Sequence, residues 1–216
     1  LGMNRVLAAL HRVDVQTVGL ADYGKPGNYF ERQIARWSKQ YVASITDPIP
    51  EMDALMDWLP QHLPDSARDE RLVSIVHGDY RLDNLMFHPS EPRIVAVLDW
   101  ELSTLGHPLA DFSYHCMSWH IAPGAFRGIA GLDLSALGIP SEDEYIERYC
   151  AQTGFATPQA LRRDWPFYLA YNAFRLAAIL QGIAKRVELG IASSAQARQS
   201  AAGARPLAQL AWRFAQ

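Results

Sequence analysis

"IVHGDYRLDNLMF", residues 75–87, starts as a buried strand, breaks into polar groups and then becomes a strand again. Ile75 and Val76 are apolar, His77, Gly78, Asp79, Arg81, Asp83 and Asn84 interrupt, and Leu85, Met86 and Phe87 resume. A turn, a metal site and a catalytic loop would all interrupt a strand this way. An Asp or Asn at a strand end is most often a turn residue, because its side chain bonds to its own backbone. The next twelve or so residues narrow the choice. "RIVAVLD" (93–99) is a second β-branched run, and "PSEP" (89–92) is a turn between the two. An antiparallel hairpin of 85–88 with 94–98 puts the residue before its first strand and the residue after its second at one open end. Asn84 and Asp99, fifteen positions apart, therefore come together. Two hard oxygen ligands without a His suit Mg²⁺, which keeps waters and borrows further oxygens from a phosphate. Asp79 lies five residues before Asn84, in the loop entering the hairpin, placed to accept a proton from a hydroxyl. A base, an amide ligand, a carboxylate ligand and a phosphate-bearing substrate describe phosphoryl transfer.

The pattern H-x-D-x₄-N, then a hairpin, then Asp-Trp-Glu, resembles the aminoglycoside phosphotransferase family, which shares its fold with the protein kinases. The kinase catalytic loop reads H-R-D-x₄-N and its metal loop D-F-G. Here Gly78 stands in place of the Arg, and Asp99-Trp100-Glu101 forms the metal loop, replacements usual in the phosphotransferase branch. The resemblance implies that Asp79 is the catalytic base and that Asn84 and Asp99 are Mg²⁺ ligands. It further implies that His77 braces the catalytic loop, that Asp111 in "GHPLADF" pins these loops from the next helix, and that ATP donates the phosphoryl group to a small-molecule hydroxyl. "LHRVD" (10–14), "DYGKPGNYFERQIARW" (22–37) and the stretch from His77 to Phe112 look most like the branch related to kinase-like domains attached to some acyl-CoA dehydrogenases. That branch implies a hydroxyacyl-CoA acceptor rather than an antibiotic.

The rest of the chain reads as mainly α with a small β-hairpin element (α+β), the C-terminal lobe of a protein-kinase-like fold. Helices are expected at 3–12, from an Asn28 cap onward, and at Met52–Leu63. Others are expected at 108–120, from a Ser141/Glu144 capping box to about Thr153, from Thr157-Pro158, over 167–190, and over 194–215 with a break near Pro206. Strands are expected at 71–76, 85–88 and 93–99, and a Gly-rich loop at 121–140. The family's N-terminal β lobe, with a phosphate-covering loop and a strand Lys, has no counterpart here. "GKPG" (24–27) lacks the spacing of a phosphate-binding P-loop. The expectation is a catalytic lobe without most of its nucleotide clamp, with the N-terminal lobe of the same protein as its missing partner and no activity in isolation.

Composition excludes other classes. A net charge of −3 gives no basic footprint for nucleic acid. No apolar run reaches the roughly 20 residues of a membrane span. Two cysteines are too few for a disulfide framework, which points to reduced thiols and a cytoplasmic protein. Two alternatives stay open: a metal-dependent phosphohydrolase that uses the His and Asp residues around 107–120 (His107, Asp111, His115 and His120), and a non-catalytic kinase-like binding module. Arg175, inside an apolar helix, is a candidate for a structural or a substrate-binding partner. Glu142, Asp143, Glu144 and Glu147 fit either a cationic acceptor or an ordinary acidic helix start. Lys185 and Arg186 fit a CoA phosphate or a solvated face.

Overall fold

The structure is a computed structural model that describes residues 1–124 and 128–216. The helices among them are α1 (Gly2–His11), α2 (Tyr29–Ser44), α3 (Pro50–Gln61), α4 (Pro108–Cys116), α5 (Glu142–Thr153), α6 (Pro158–Glu188), α7 (Ala195–Ala201) and α8 (Ala204–Ala215). The strands are β1 (Ser74–Val76), β2 (Leu85–Phe87), β3 (Ile94–Val97) and β4 (Thr104–Gly106). The chain forms two compact units, one of Leu1–Gly27 with Ser66–Trp165, the other of Asn28–Asp65 with Pro166–Gln216.

In the first unit, α1 packs against α5 and β1. Leu7 and Ala8 supply its apolar face, and Asn4 ties it to α5 by donating to the Tyr145 carbonyl at 2.9 Å. Phe112 stacks on Tyr149 at 3.9 Å, and both rings are fully buried. Two short antiparallel pairs carry the polar loops. β2 pairs with β3 through Leu85↔Val97, Met86↔Ala96 and Phe87↔Ile94, with a bulge between Met86 and Phe87. β1 pairs with β4 through Ile75↔Leu105 and Val76↔Thr104.

The second unit is helical. Met52, Leu55 and Leu59 of α3 are buried, as are Leu207, Ala208 and Ala211 of α8, on which α3 packs. The Phe30 ring meets Phe167 and Tyr171 edge-on at 5.3 and 5.0 Å. Gln181 donates to the Ser44 carbonyl and to Thr46 Oγ1.

Several local expectations are corrected. Asn28 takes a left-handed backbone (φ 47°) and its side chain makes no capping bond. The first strand loses residues 71–73, because Asp69 accepts from the Arg71 amide and guanidinium and turns Glu70–Leu72 into a 3₁₀ segment. Helix α4 stops at Cys116, and Met117–His120 continue as 3₁₀. The helices expected from Pro158 and over 167–190 are one, running through Pro166. An interior proline costs a helix about 3 kcal/mol, and burial of Trp165, Phe167 and Tyr168 around it outweighs that. The tail breaks at Ala202–Gly203, whereas Pro206 sits in the first turn of α8, where its missing N–H has no acceptor to lose. The Ser141/Glu144 capping box is present in both directions. Part of the expected 121–140 loop, residues 125–127, lies outside the described residues.

Candidate active site

β1 delivers the chain to His77, and the backbone then turns on Gly78 (φ 81°). A Cβ there would lie 2.8 Å from the Leu102 carbonyl oxygen. Only glycine satisfies both the positive φ and this close approach, which explains why the position following the His cannot hold a side chain. Asp111, from the first turn of α4, accepts from the His77 amide at 2.6 Å and the Gly78 amide at 2.9 Å. Its Oδ2 also meets His11 Nε2 at 3.2 Å, and His11 Nδ1 meets the Tyr149 hydroxyl at 2.6 Å. Burial alone would favour the protonated acid. The His11 bond and field and the two amides outweigh it, so Asp111 stays below the usual carboxylate range.

The imidazole of His77 connects two loops. Its Nδ1 accepts from the Asp79 amide at 3.2 Å, which leaves the proton on Nε2 to be donated to the Leu98 carbonyl at 2.8 Å. Leu98 in turn donates its amide to the Asn84 carbonyl at 2.8 Å, closing the hairpin at its open end. One buried ring therefore spaces the Asp79 loop against the residue preceding Asp99. Asp99 follows in a left-handed conformation (φ 66°, ψ 58°). That costs an L-residue roughly 1–2 kcal/mol, and the surroundings hold it there: Trp100 donates to the Val97 carbonyl and its ring lies 4.9 Å from the His77 ring.

Asn84 donates through Nδ2 to the Asp79 carbonyl at 2.9 Å and to Asp79 Oδ2 at 3.0 Å. These bonds fix which end of the amide is which and turn its oxygen away from Asp79. The Asp99 carboxylate is exposed and accepts no hydrogen bond from a described residue. An oriented amide oxygen and a free carboxylate at one hairpin end are a donor set of the kind Mg²⁺ takes alongside phosphate oxygens and water. Asp79 meets two further groups. Tyr114 donates to its Oδ1 at 2.5 Å, and Arg81 Nε lies 3.1 Å from its Oδ2 at an angle that makes an ion pair rather than a hydrogen bond.

Of the residues singled out in the sequence, His77, Asp79, Asn84, Asp99 and Asp111 all fall in the first unit; the bonds above link His77, Asp79, Asn84 and Asp111, and reach Asp99 only through its neighbour Leu98. Arg175 lies in the second, buried, with its guanidinium 5.8 Å from the centre of the Trp37 ring. The residues of the alternative metal site are engaged elsewhere. His107 caps α4 by accepting from the Leu109 amide and donates to the Ser66 carbonyl. His115 meets the Tyr145 hydroxyl, and His120 the Glu142 carboxylate. Burial pushes the His107 imidazole down to about 4, so it stays neutral at neutral pH. The acidic start of α5 also has partners within the chain, with Arg162 bonded to Asp143 and Glu147. Lys185 pairs with Glu188. Sequence reasoning missed His11 and Tyr114. Tyr114 had a visible signal, since it stands one helical turn beyond Asp111 and so shares its face.

The family model described as phosphotransferase enzyme family (APH) matches residues 3–163. The chain belongs to this phosphotransferase family. It is 47% identical over 216 residues to acyl-CoA dehydrogenase family member 10 of Mus musculus, covering 99% of this chain and 19% of that protein. It is 41% identical over 204 residues to acyl-CoA dehydrogenase family member 11 of Homo sapiens, covering 94% of this chain and 25% of that one. The chain thus spans a fifth to a quarter of the length of these curated relatives. A crystal structure of a Ralstonia eutropha protein, described as a candidate aminoglycoside phosphotransferase, superposes with a TM-score of 0.93 at 64% identity, over 99% of this chain and 63% of that one. A macrolide 2'-phosphotransferase type I shares the fold, with a TM-score of 0.57 at 18% identity over 97% of this chain and 57% of that one. The family match and the acyl-CoA dehydrogenase family relatives agree with the family resemblance and the fold class read from the sequence.

Proposed function

We propose that this phosphotransferase chain is the catalytic lobe of an ATP- and Mg²⁺-dependent kinase acting on a small-molecule hydroxyl. The observation that carries the proposal is the Asn84 amide. Its nitrogen holds Asp79, and the hairpin register sets Asn84 at the end of the element that also bears Asp99. Asp79 is the base that receives the acceptor proton. The acceptor oxygen forms a bond to the γ-phosphorus as the bond from that phosphorus to the ADP oxygen breaks. Asn84 and Asp99 would hold the Mg²⁺, which neutralises phosphate charge when bound. His77 keeps the two loops in register, and Asp111 holds the backbone of the first.

A hydroxyacyl-CoA is favoured as acceptor over an aminoglycoside, because the similarity to acyl-CoA dehydrogenase family members runs over nearly the whole chain. The nucleotide clamp belongs to an N-terminal lobe of the same protein. The Ralstonia eutropha chain is long enough to include such a lobe, and the exposed apolar side chains of Met86, Phe87, Val95 and Leu98 on and beside the hairpin offer it a face. Two buried free thiols, Cys116 and Cys150, fit a cytoplasmic setting. No helix among the described residues is long and apolar enough to cross a membrane.

The test is transfer from γ-labelled ATP by the full-length protein to panels of hydroxyacyl-CoAs and aminoglycosides, with and without EDTA. Labelled acyl-CoA that disappears with EDTA supports the proposal. Labelled aminoglycoside alone would reverse the acceptor assignment. Phosphate release that needs no nucleotide would replace the kinase by a hydrolase.

A further inference from the structure

Asp79 is held on both oxygens. Oδ2 faces Asn84 Nδ2 at 3.0 Å and Arg81 Nε at 3.1 Å, and Oδ1 accepts from the Tyr114 hydroxyl at 2.5 Å. A carboxylate offers about four lone-pair directions. Oδ2 accepts one hydrogen bond from Asn84 and faces the Arg81 charge, while Oδ1 accepts one from Tyr114, so the second lone pair of Oδ1 remains for an incoming hydroxyl. The Tyr114 contact has the length of a strong charge-assisted O–H···O⁻ bond. Tyr114 stands on the same face of α4 as Asp111, whose carboxylate grips the backbone of the same loop through the His77 and Gly78 amides. One helix face thus holds the loop twice, by its backbone through Asp111 and by its reacting side chain through Tyr114.

We propose that Tyr114 is a positioning residue for phosphoryl transfer, whose hydroxyl locks the Asp79 carboxylate in the orientation that presents one Oδ1 lone pair to the acceptor. The proposal rests on the reading of Asp79 as the base. The terminal torsion of an Asp is broad and poorly defined by its own rotamer preferences, so without the phenol the carboxylate spreads over orientations in which Oδ1 is misdirected. Nucleotide binding should not depend on this bond, because Asn84 keeps its bond to the Asp79 carbonyl and the hairpin holds Asp99 apart from Tyr114. The loss therefore belongs in kcat.

The experiment compares wild type, Tyr114→Phe and Asp79→Asn in the full-length protein, with ATP as donor and a hydroxyacyl-CoA panel as acceptor. The Phe variant keeps the ring and its packing. Its kcat is expected to fall about tenfold, a modest positioning effect, with KM for ATP within about twofold and Tm within about 2 °C of wild type. An unchanged kcat in Tyr114→Phe beside an inactive Asp79→Asn would overturn the role of Tyr114 and leave the base in place. A parallel rise in KM for ATP with a lowered Tm would also overturn it, in favour of simple packing. Activity in Asp79→Asn would remove the base itself, and with it the group that Tyr114 is proposed to position.

Discussion

Gly78 shows how much one residue of the catalytic motif owes to its surroundings. Its positive φ and the 2.8 Å approach to the Leu102 carbonyl both exclude a side chain. Gly78→Ala is expected to lower stability by about 1–3 kcal/mol, read as a lower midpoint in urea unfolding. An unchanged midpoint would mean that the loop around Leu102 yields at no cost. Asp99 is strained in the same region of backbone space, but Asn tolerates that region as well as Asp does. Asp99→Asn should therefore leave Tm unchanged and raise the Mg²⁺ concentration needed for half-maximal activity. An unaltered Mg²⁺ titration would exclude it as a ligand. The spacing of His77, Asp79, Asn84 and Asp99 was legible in the sequence because a hairpin converts sequence distance into proximity. His11 was not, because Asp111 lies 100 positions away and no local pattern links them, and Tyr114 offered only its helical spacing to Asp111, since its partner Asp79 lies 35 positions away.

At the scale of elements, the hairpin and α4 carry the site. The Leu85↔Val97 register and the Leu98–Asn84 backbone bond decide whether Asp99 meets Asn84. Deleting Ala96 shifts the pairing by one residue and turns every later side chain to the other face. It should abolish ATP-dependent transfer, whereas two glycines inserted after Ser90 in the turn should cost little, since loop closure grows only slowly with length. Equal activity in both would show that register does not build the site. Helix α4, which bears Asp111 and Tyr114, begins on the neutral imidazole of His107, whose residue is 3% exposed. In the unfolded chain that imidazole protonates near 6.5, and in the folded one near 4. Between these values the unfolded state binds the extra proton, so stability is complete above about pH 6.5 and falls as the pH drops towards 4. The contribution is on the order of 3 kcal/mol. Tm should decline over that window, and less steeply in His107→Asn, which can still cap the helix. Parallel curves would assign the loss to other groups. Element type was readable for the long helices, but β4 was missed. "TLG" is too short to show alternation, and it is a strand only because β1 lies beside it.

For the whole molecule, the site lies within one unit, Leu1–Gly27 with Ser66–Trp165. The division could not be read from the sequence, since the boundary falls inside α6 at Trp165–Pro166, with no linker composition to mark it. The kinase-like architecture was readable because the motif and the hairpin behind it belong to that fold. On the proposed division of labour, these 216 residues hold the base and the metal ligands without the nucleotide clamp. The chain by itself is expected to turn over no ATP, and the full-length protein to do so. Turnover by the chain alone, with a defined acceptor, would show that the clamp is already present.

If Asp79 takes the acceptor proton, Asp79→Asn in the full-length protein removes that step and little else. Asn keeps the shape of the side chain and removes its basicity. The variant's kcat is expected to fall roughly 10²–10⁴-fold, the usual share of a general base, with KM for ATP little changed. A kcat within a few-fold of wild type would contradict that role for Asp79.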